Sequence, residues 1–350
     1  MELLRKLCEA SGVAGREERI REIARDHLQR NADEITVDTL GNLIALKKAK
    51  SNAAEPARKV MLACHMDEIG FYVKHIDDKG FIRVVPLGGF DTRNLFARRV
   101  LIQGKRDMIG IMNPCGRPIH MLKEEDKKKT YDVDEFFVDV FMKPDEIKEV
   151  IRVGDPVTLF QPFHDHGDVV SGKAMDNRVA VWVGLNVMKN LGSDSAFDVY
   201  MVGAVQEEVG TRGSGPSCFG LDPDVGIAID VTLACDTPGV EPDHAVTRMG
   251  EGVAIKIMDS YSISHRGLVD SFVKTAESNK IPFQMEILPR GGTDAGPMQR
   301  TGIGRPVITI SVPCRYVHTV VESVQKKDLQ GAVDLLTAWL KSPQEWIGTL

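Results

Sequence analysis

Nowhere in these 350 residues is there an uncharged apolar run long enough to cross a bilayer. The longest, Val179 to Met188, falls well short of the roughly 20 residues a spanning helix needs. The N-terminal stretch Met1 to Arg16 alternates charged with apolar residues and lacks the continuous hydrophobic segment of a signal peptide. Neither membrane insertion nor export is expected. A basic excess is missing too: 44 Lys plus Arg stand against 50 Asp plus Glu, a formal charge of -6. Without a cationic surplus or a long Lys/Arg run, nucleic acid is not an expected partner. The six cysteines (Cys8, Cys64, Cys115, Cys218, Cys235, Cys314) form no C-x-x-C pair, which argues against a disulfide frame and a zinc ribbon. They read as buried free thiols of a reducing compartment, so the cytoplasm is the expected location. Nucleotide fingerprints are also absent. Gly210-Thr211-Arg212-Gly213-Ser214-Gly215 has neither the Lys-Ser/Thr ending of a P-loop nor G-x-G-x-x-G spacing. Its glycines suit backbone that passes close to a site.

What is present is the mixture of a globular protein, 43% hydrophobic and 27% charged, long enough for two domains and a sizeable core. Met1 to Arg30 carries helical apolar spacing at Leu3, Leu4 and Leu7, then at Ile20, Ile23, Ala24 and Leu28. Strand patterns follow over Glu34 to Leu46, with a turn at Gly41-Asn42, and over the apolar run Val60 to Cys64. From Ile69 to about Phe160 the texture changes to short alternating segments (70–75, 81–85, 100–104, 108–113, 136–141) divided by polar turns. These predict a small barrel or sandwich, with Lys123 to Lys129 as a solvated loop. Beyond Phe160, predicted helices (Asn177–Leu191, Ser264–Ser278, Lys326–Leu340) alternate with predicted strands (Phe197–Val205, Val225–Val231, Phe283–Leu288, Val307–Val312). Such alternation implies a sheet covered on both faces. The expected architecture is an α/β domain of residues 1–68 plus 161–350, with a β-rich domain of residues 69–160 inserted after the third strand.

Five segments set metal-binding side chains where strands give way to loops, the usual place for chemistry on an open α/β sheet. They are Cys64-His65-Met66-Asp67-Glu68-Ile69-Gly70, Gly172-Lys173-Ala174-Met175-Asp176-Asn177-Arg178, Gln206-Glu207-Glu208-Val209-Gly210, Ile229-Asp230-Val231-Thr232 and Arg315-Tyr316-Val317-His318-Thr319. Taken singly, each has an ordinary reading. An Asp at a strand end commonly forms a turn or caps a helix, a lone core His is commonly a hydrogen-bonded one, and Glu207-Glu208 could be two solvated acids. Jointly they place two imidazoles and several carboxylates at the strand ends of one domain. Acids so grouped repel one another unless cations compensate them, so a metal centre accounts for the set.

These residues resemble a known family. His-Met-Asp-Glu-Ile-Gly (65–70), Lys-Ala-x-Asp-Asn-Arg (173–178), Glu-Glu-Val-Gly-x-Arg-Gly (207–213), Gly-Gly-Thr-Asp-Ala (291–295) and Arg-Tyr-Val-His (315–318) are similar to the motifs of family forty-two of the metallopeptidases. That family includes glutamyl, deblocking and tetrahedral (TET) aminopeptidases. The resemblance runs from Met1 to about Leu340, in the family's order. Thr211 stands where the family often has Leu, Thr319 where it often has Ser, and Lys123 to Asp145 departs further. The resemblance implies a zinc-peptidase-like sheet and a dinuclear aminopeptidase acting on short peptides. One ion would be held by His65 and Asp230, the other by Glu208 and His318, with Asp176 bridging. The imidazole and carboxylate set suits Zn²⁺ or Co²⁺ and tolerates Mn²⁺. Glu207 would be the general base. Asp67, two residues beyond His65 on the same side of an extended segment, would accept the imidazole N–H and fix its tautomer; a turn-stabilising acid is its other reading. Gly292, Thr293 and Asp294 would shape the substrate pocket unless they form only a turn. Arg212 would pair with an acid of the site or lie in a surface ion pair. The insert would mediate self-association to a dimer or dodecamer, and His120 would reach a neighbouring subunit's site if it is not an ordinary loop residue.

Three other readings compete. A two-metal carboxypeptidase or N-acyl amino acid deacylase would share the centre and differ in what recognises the substrate's charged end. A glycosidase would need two carboxyls and no metal. A purely structural zinc site would be closed, with little reason for an acid such as Glu207 beside a ligand.

Overall fold

The computed structural model describes residues 1–50 and 56–343. The apolar run Val60–Cys64 forms the strand Lys59–His65, buried from Val60 onward. A strand without polar alternation must be covered on both faces, and it lies well inside an 11-stranded sheet. Across that sheet the order is Glu34–Val37, Leu43–Lys47, Asp198–Ala204, Lys59–His65, Val225–Leu233, Val307–Arg315, Glu322–Gln325, Val169–Gly172 and His164–Asp165. Val253–Met258 pairs with Val307–Arg315 and carries Phe283–Ile287 on its other side. The strands Asp198–Ala204, Lys59–His65, Val225–Leu233 and Val307–Arg315 run parallel, so their carboxyl ends come out at one edge.

The two-residue period of a strand sends successive side chains to opposite faces. Val60, Leu62 and Cys64 pack with Leu7, Ile20, Val183, Phe272 and Leu336, from the helices Glu2–Glu9, Glu18–Leu28, Met175–Leu191, Arg266–Asn279 and Lys326–Lys341. Met61 and Ala63 face the other way, onto Cys218, Ala295 and Met298, from the short helices Ser214–Leu221 and Ala295–Arg300. Helices thus cover both faces. The helical spacing over residues 1–30 falls on two helices, Glu2–Glu9 and Glu18–Leu28, with Gly15 at φ +81° in the turn between them.

After His65 the chain leaves the sheet. Gly70–Ile76, Ile82–Leu87, Arg98–Gln103, Asp107–Pro114, Phe136–Asp139 and Pro156–Leu159 close a six-stranded barrel around its own core of Phe71, Val84, Ile102, Met112 and Val138. Closure decides between barrel and sandwich. The strand Pro156–Leu159 joins Gly70–Ile76 to Arg98–Gln103, and because all four of its residues are buried it shows no alternation. The passage into the barrel is anchored at Glu68. Its carboxylate accepts hydrogen bonds from Lys173 Nζ at 2.7 Å, Arg178 Nη2 at 3.0 Å and the Gly12 N–H at 3.0 Å.

All six cysteines are free; Cys8, Cys64, Cys218 and Cys314 are buried, whereas Cys115 and Cys235 are only half-buried. Among the described residues, no helix is long and apolar enough to cross a membrane.

Candidate metal centre

Because the central strands are parallel, their ends deliver side chains to one place. His65 is the last residue of its strand, Asp230 lies near the end of Val225–Leu233, Glu207 and Glu208 follow Asp198–Ala204, and His318 follows Val307–Arg315. Asp176 sits at the entry to the helix Met175–Leu191, where its own dihedrals are not helical. The connecting loops bend sharply. Ala174, Gln206, Thr211, Tyr316 and His318 all have positive φ, from +51° to +62°. Left-handed backbone at non-glycine residues is costly, and it gathers at sites that the surrounding structure over-determines.

The side chains form two triads that share one carboxylate. His65, Asp176 and Asp230 offer ligand atoms within 4.8 Å of one another, and so do Asp176, Glu208 and His318. Asp176 Oδ1 is 3.2 Å from His65 Nε2, while its Oδ2 is 3.4 Å from His318 Nε2. Glu208 Oε2 lies 3.4 Å from His318 Nε2, and Glu207 Oε2 lies 3.9 Å from His65 Nε2. His65 Nδ1 is 3.2 Å from the backbone carbonyl of Asp67. A carbonyl only accepts, so Nδ1 donates and Nε2 is the ring atom that faces the carboxylates.

Asp67 departs from the sequence expectation in its main contacts. Its carboxylate stands 3.5 Å from His65 Nδ1, but its hydrogen bonds come from backbone: Oδ1 accepts the Glu207 N–H at 2.9 Å and Oδ2 the Glu208 N–H at 3.0 Å. The preceding amide, Gln206, donates to Glu17 Oε1 at 3.0 Å. Three consecutive amides are thereby held by two buried acids, and the two glutamates are fixed from behind. Asn177 Nδ2 donates to Asp230 Oδ1 at 2.8 Å, while Asn177 Oδ1 accepts the Ala180 N–H. One residue therefore both orients an acid and satisfies the first turn of a helix.

The protein groups alone leave this cluster short of positive charge. Burial raises Glu207 and Glu208 well above the ordinary carboxylate value, and neighbouring acids push the same way. Burial likewise lifts Asp230 to about 8. For Asp176 burial is outweighed: hydrogen bonds from His318 and His65 hold it below the usual range. Burial also opposes a charged His65, yet Glu207 and the other acids raise its pKa well above the ordinary value. Glu208 Oε1 is buried with no hydrogen-bond partner among the described residues. A borderline donor set, an orphaned buried carboxylate oxygen and a shared Asp176 fit a pair of divalent cations.

The triads line a cleft of about 420 Å³, whose walls include Thr232, Lys256, Tyr261, Arg290, Gly292 and Thr293. Thr293 Oγ1 donates to Asp259 Oδ2 at 3.2 Å. Asp294 is buried behind it and lifted by burial to about 6. His120 is exposed, in the short turn Ile119–Met121 of the barrel, and does not line this cleft. Arg212 is exposed and lines no part of it either. Sequence reasoning passed over Glu322, whose buried carboxylate accepts the Asp176 N–H at 3.0 Å and the His318 N–H at 2.7 Å. The available signal was an acid four residues after His318, between Val320-Val321 and Val324.

Carboxylates and imidazoles converging at the strand ends of a mixed sheet, beside an open cleft, define an α/β hydrolytic enzyme. Three comparisons narrow that class. The lysyl aminopeptidase of Pyrococcus furiosus is 34% identical over 352 residues, covering 97% of this chain and 96% of that protein. An aminopeptidase of the archaeon Desulfurococcus kamchatkensis superposes with a TM-score of 0.91 at 35% identity, over 97% of this chain and 94% of that one. The TET1 peptidase of Pyrococcus horikoshii, described as able to assemble into a tetrahedron or a large octahedral shell, superposes with a TM-score of 0.85 at 28% identity, over 97% and 99%. The family model described as M42 glutamyl aminopeptidase matches residues 41–335, and the chain belongs to that family. It is an aminopeptidase, a hydrolase acting on peptide bonds.

Proposed function

We propose that this enzyme removes N-terminal residues from short peptides with two divalent metal ions. The observation that carries the reading is Asp176, whose two carboxylate oxygens face two different imidazoles. His65 and Asp230 would hold one ion, Glu208 and His318 the other, with Asp176 between them; Zn²⁺ or Co²⁺ suits this set, and Mn²⁺ is tolerated. Bound ions would supply Lewis-acid polarisation of the scissile carbonyl and lower the pKa of water. Glu207, next to a ligand but directed to His65 Nε2, takes a proton from the attacking water and returns it to the leaving amine. Asp67 keeps that carboxylate in place through the Glu207 amide and steadies His65 through its backbone carbonyl. Gly292 and Thr293, backed by Asp294, form a wall against which the substrate lies.

The test is paired. Exhaustive chelation abolishes hydrolysis of amino-acid anilides that have a free amine, divalent metal restores it, and N-acylated anilides are not cleaved. Full activity in a preparation shown to be metal-free would overturn the metal reading. Cleavage of N-acylated substrates instead would point to a deacylase.

Residues 69–160 are proposed to mediate self-association, supported by the shells described for the Pyrococcus horikoshii peptidase. Particles that enclose their sites admit short or unfolded peptides, and His120 would then serve a neighbouring subunit. The cytoplasm is the proposed location. Light scattering on metal-loaded protein is expected to give a dimer or a dodecamer of the 38.6 kDa chain. An active monomer at every concentration sinks the assembly proposal.

A further inference from the structure

Glu322 lies in the short strand Glu322–Gln325, paired antiparallel with Val169–Gly172 so that it stands opposite Gly172. The segment continuing from Gly172 is the one that delivers Asp176. On the other side, four residues back through the loop, is His318. The Glu322 side chain is 2% exposed, and its two oxygens are divided: Oε2 takes the Asp176 N–H at 3.0 Å and Oε1 the His318 N–H at 2.7 Å. It therefore grips the backbone of two candidate ligands from different parts of the fold without presenting an atom to the cleft. Asp67 does the same for Glu207 and Glu208. The triad Asp176–Glu208–His318 is thus held at all three members by two carboxylates behind it. The other triad shares Asp176, but its two remaining members have supports of their own: Asn177 on Asp230 and the Asp67 carbonyl on His65.

We infer that Glu322 is a positioning residue that sets the Asp176–Glu208–His318 site, so that its loss releases the ion of that site in preference to the other. The inference rests on the two-metal reading above. Its physical basis is geometric. His318 has φ +62°, a conformation a non-glycine residue keeps where the surrounding structure over-determines it, and the bond from its amide to Glu322 is one such constraint. A glutamine at 322 offers one carbonyl oxygen and one NH₂ group, so it can accept one of the two amides and must turn a donor toward the other.

The experiment uses the intact chain, stripped of metal and titrated with Co²⁺, followed by visible absorption and by metal content after dialysis. The native protein is expected to take up two ions per chain. Glu322→Gln is expected to keep one tight site and to weaken the other roughly 10- to 100-fold, the usual effect of removing a residue that orients a ligand. Glu322→Asp, which keeps both acceptors on a shorter stem, is expected to recover part of that loss and provides the reading if the glutamine variant does not fold. Asp328→Asn is the control. Asp328 also accepts two backbone amides, from Gly250 and Gly252, and holds no candidate ligand. It is expected to lower the melting temperature and leave both Co²⁺ sites intact. Two unchanged Co²⁺ sites in folded Glu322→Gln overturn the inference alone, as does an equal loss of Co²⁺ in Asp328→Asn. A native protein that binds no metal overturns the two-metal reading as well.

Discussion

Glu207 and Glu208 are neighbours in sequence and meet different partners: Glu208 stands 3.4 Å from His318 Nε2, and Glu207 stands 3.9 Å from His65 Nε2. Glu207→Gln is expected to leave metal content unchanged while kcat falls by roughly 10²- to 10⁴-fold, the contribution of a positioned general base. Glu208→Gln is expected to lose or weaken one ion. Metal analysis beside steady-state kinetics checks both, and the reverse pattern would exchange the two roles. The side chains converging here were legible because each carries its chemistry in its own type and stands near a strand end or, for Asp176, at the mouth of a helix. Glu322 and Glu17 were not, since they act by accepting backbone amides, and any residue supplies an amide. Nothing in the sequence separates such an acid from a solvated one. Only the fold, by burying it behind Asp176 and His318, gives it a task.

Strands that are buried and long announced themselves. Val60–Cys64 is an unbroken apolar run, Val225–Val231 is interrupted only by Asp230 and Val307–Val312 only by Thr309 and Ser311, and each lies inside the parallel part of the sheet. Short or charge-bearing strands gave no such signal. Val169–Gly172 and Glu322–Gln325 have four residues each, too few to establish a period. Val253–Met258 contains Lys256, fully buried with Glu286 at 3.1 Å and Asp259 at 3.6 Å. A buried charge with partners reads in sequence as a surface charge, and it hid the strand. The join between barrel and sheet was equally silent. Gly88, at φ +90°, leaves room where a Cβ would meet Ile69 at 2.6 Å and Glu208 Oε2 at 3.2 Å. A turn of the barrel is therefore pressed against one of the acids of the cleft, a closeness that no local pattern encodes.

Folding gathers acids whose proton affinity is raised: Asp230 and Glu322 to about 8, Glu17 to about 7 and Asp294 to about 6, in each case chiefly by burial. In the unfolded chain such groups titrate near pH 4. Between those values the folded state holds more protons, so stability falls as pH rises. His65 and His318, raised by the acids around them, act in the same direction, since their stabilising charge is lost at high pH. Asp176, lowered, contributes stability that is lost only in acid, below that window. The metal-free protein is therefore expected to melt at a lower temperature at about pH 8.5 than at about pH 5.5. Divalent metal, which competes with these protons, is expected to abolish or reverse that slope. Calorimetry on stripped and reconstituted protein checks it, and a metal-free melting point that rises with pH would contradict the assignment. The anchorage of Glu68 bears on how barrel and sheet are joined. The passage from sheet to barrel holds His65, Asp67 and Glu68 in succession, and Glu68 is bolted to Lys173, Arg178 and Gly12. Releasing one partner of a buried ion pair is expensive, so this passage is a costly place for a hinge. Within four residues the chain passes from a wall of the cleft, at His65, to that anchor at Glu68, so the footing of the barrel and the edge of the cleft are one stretch of backbone.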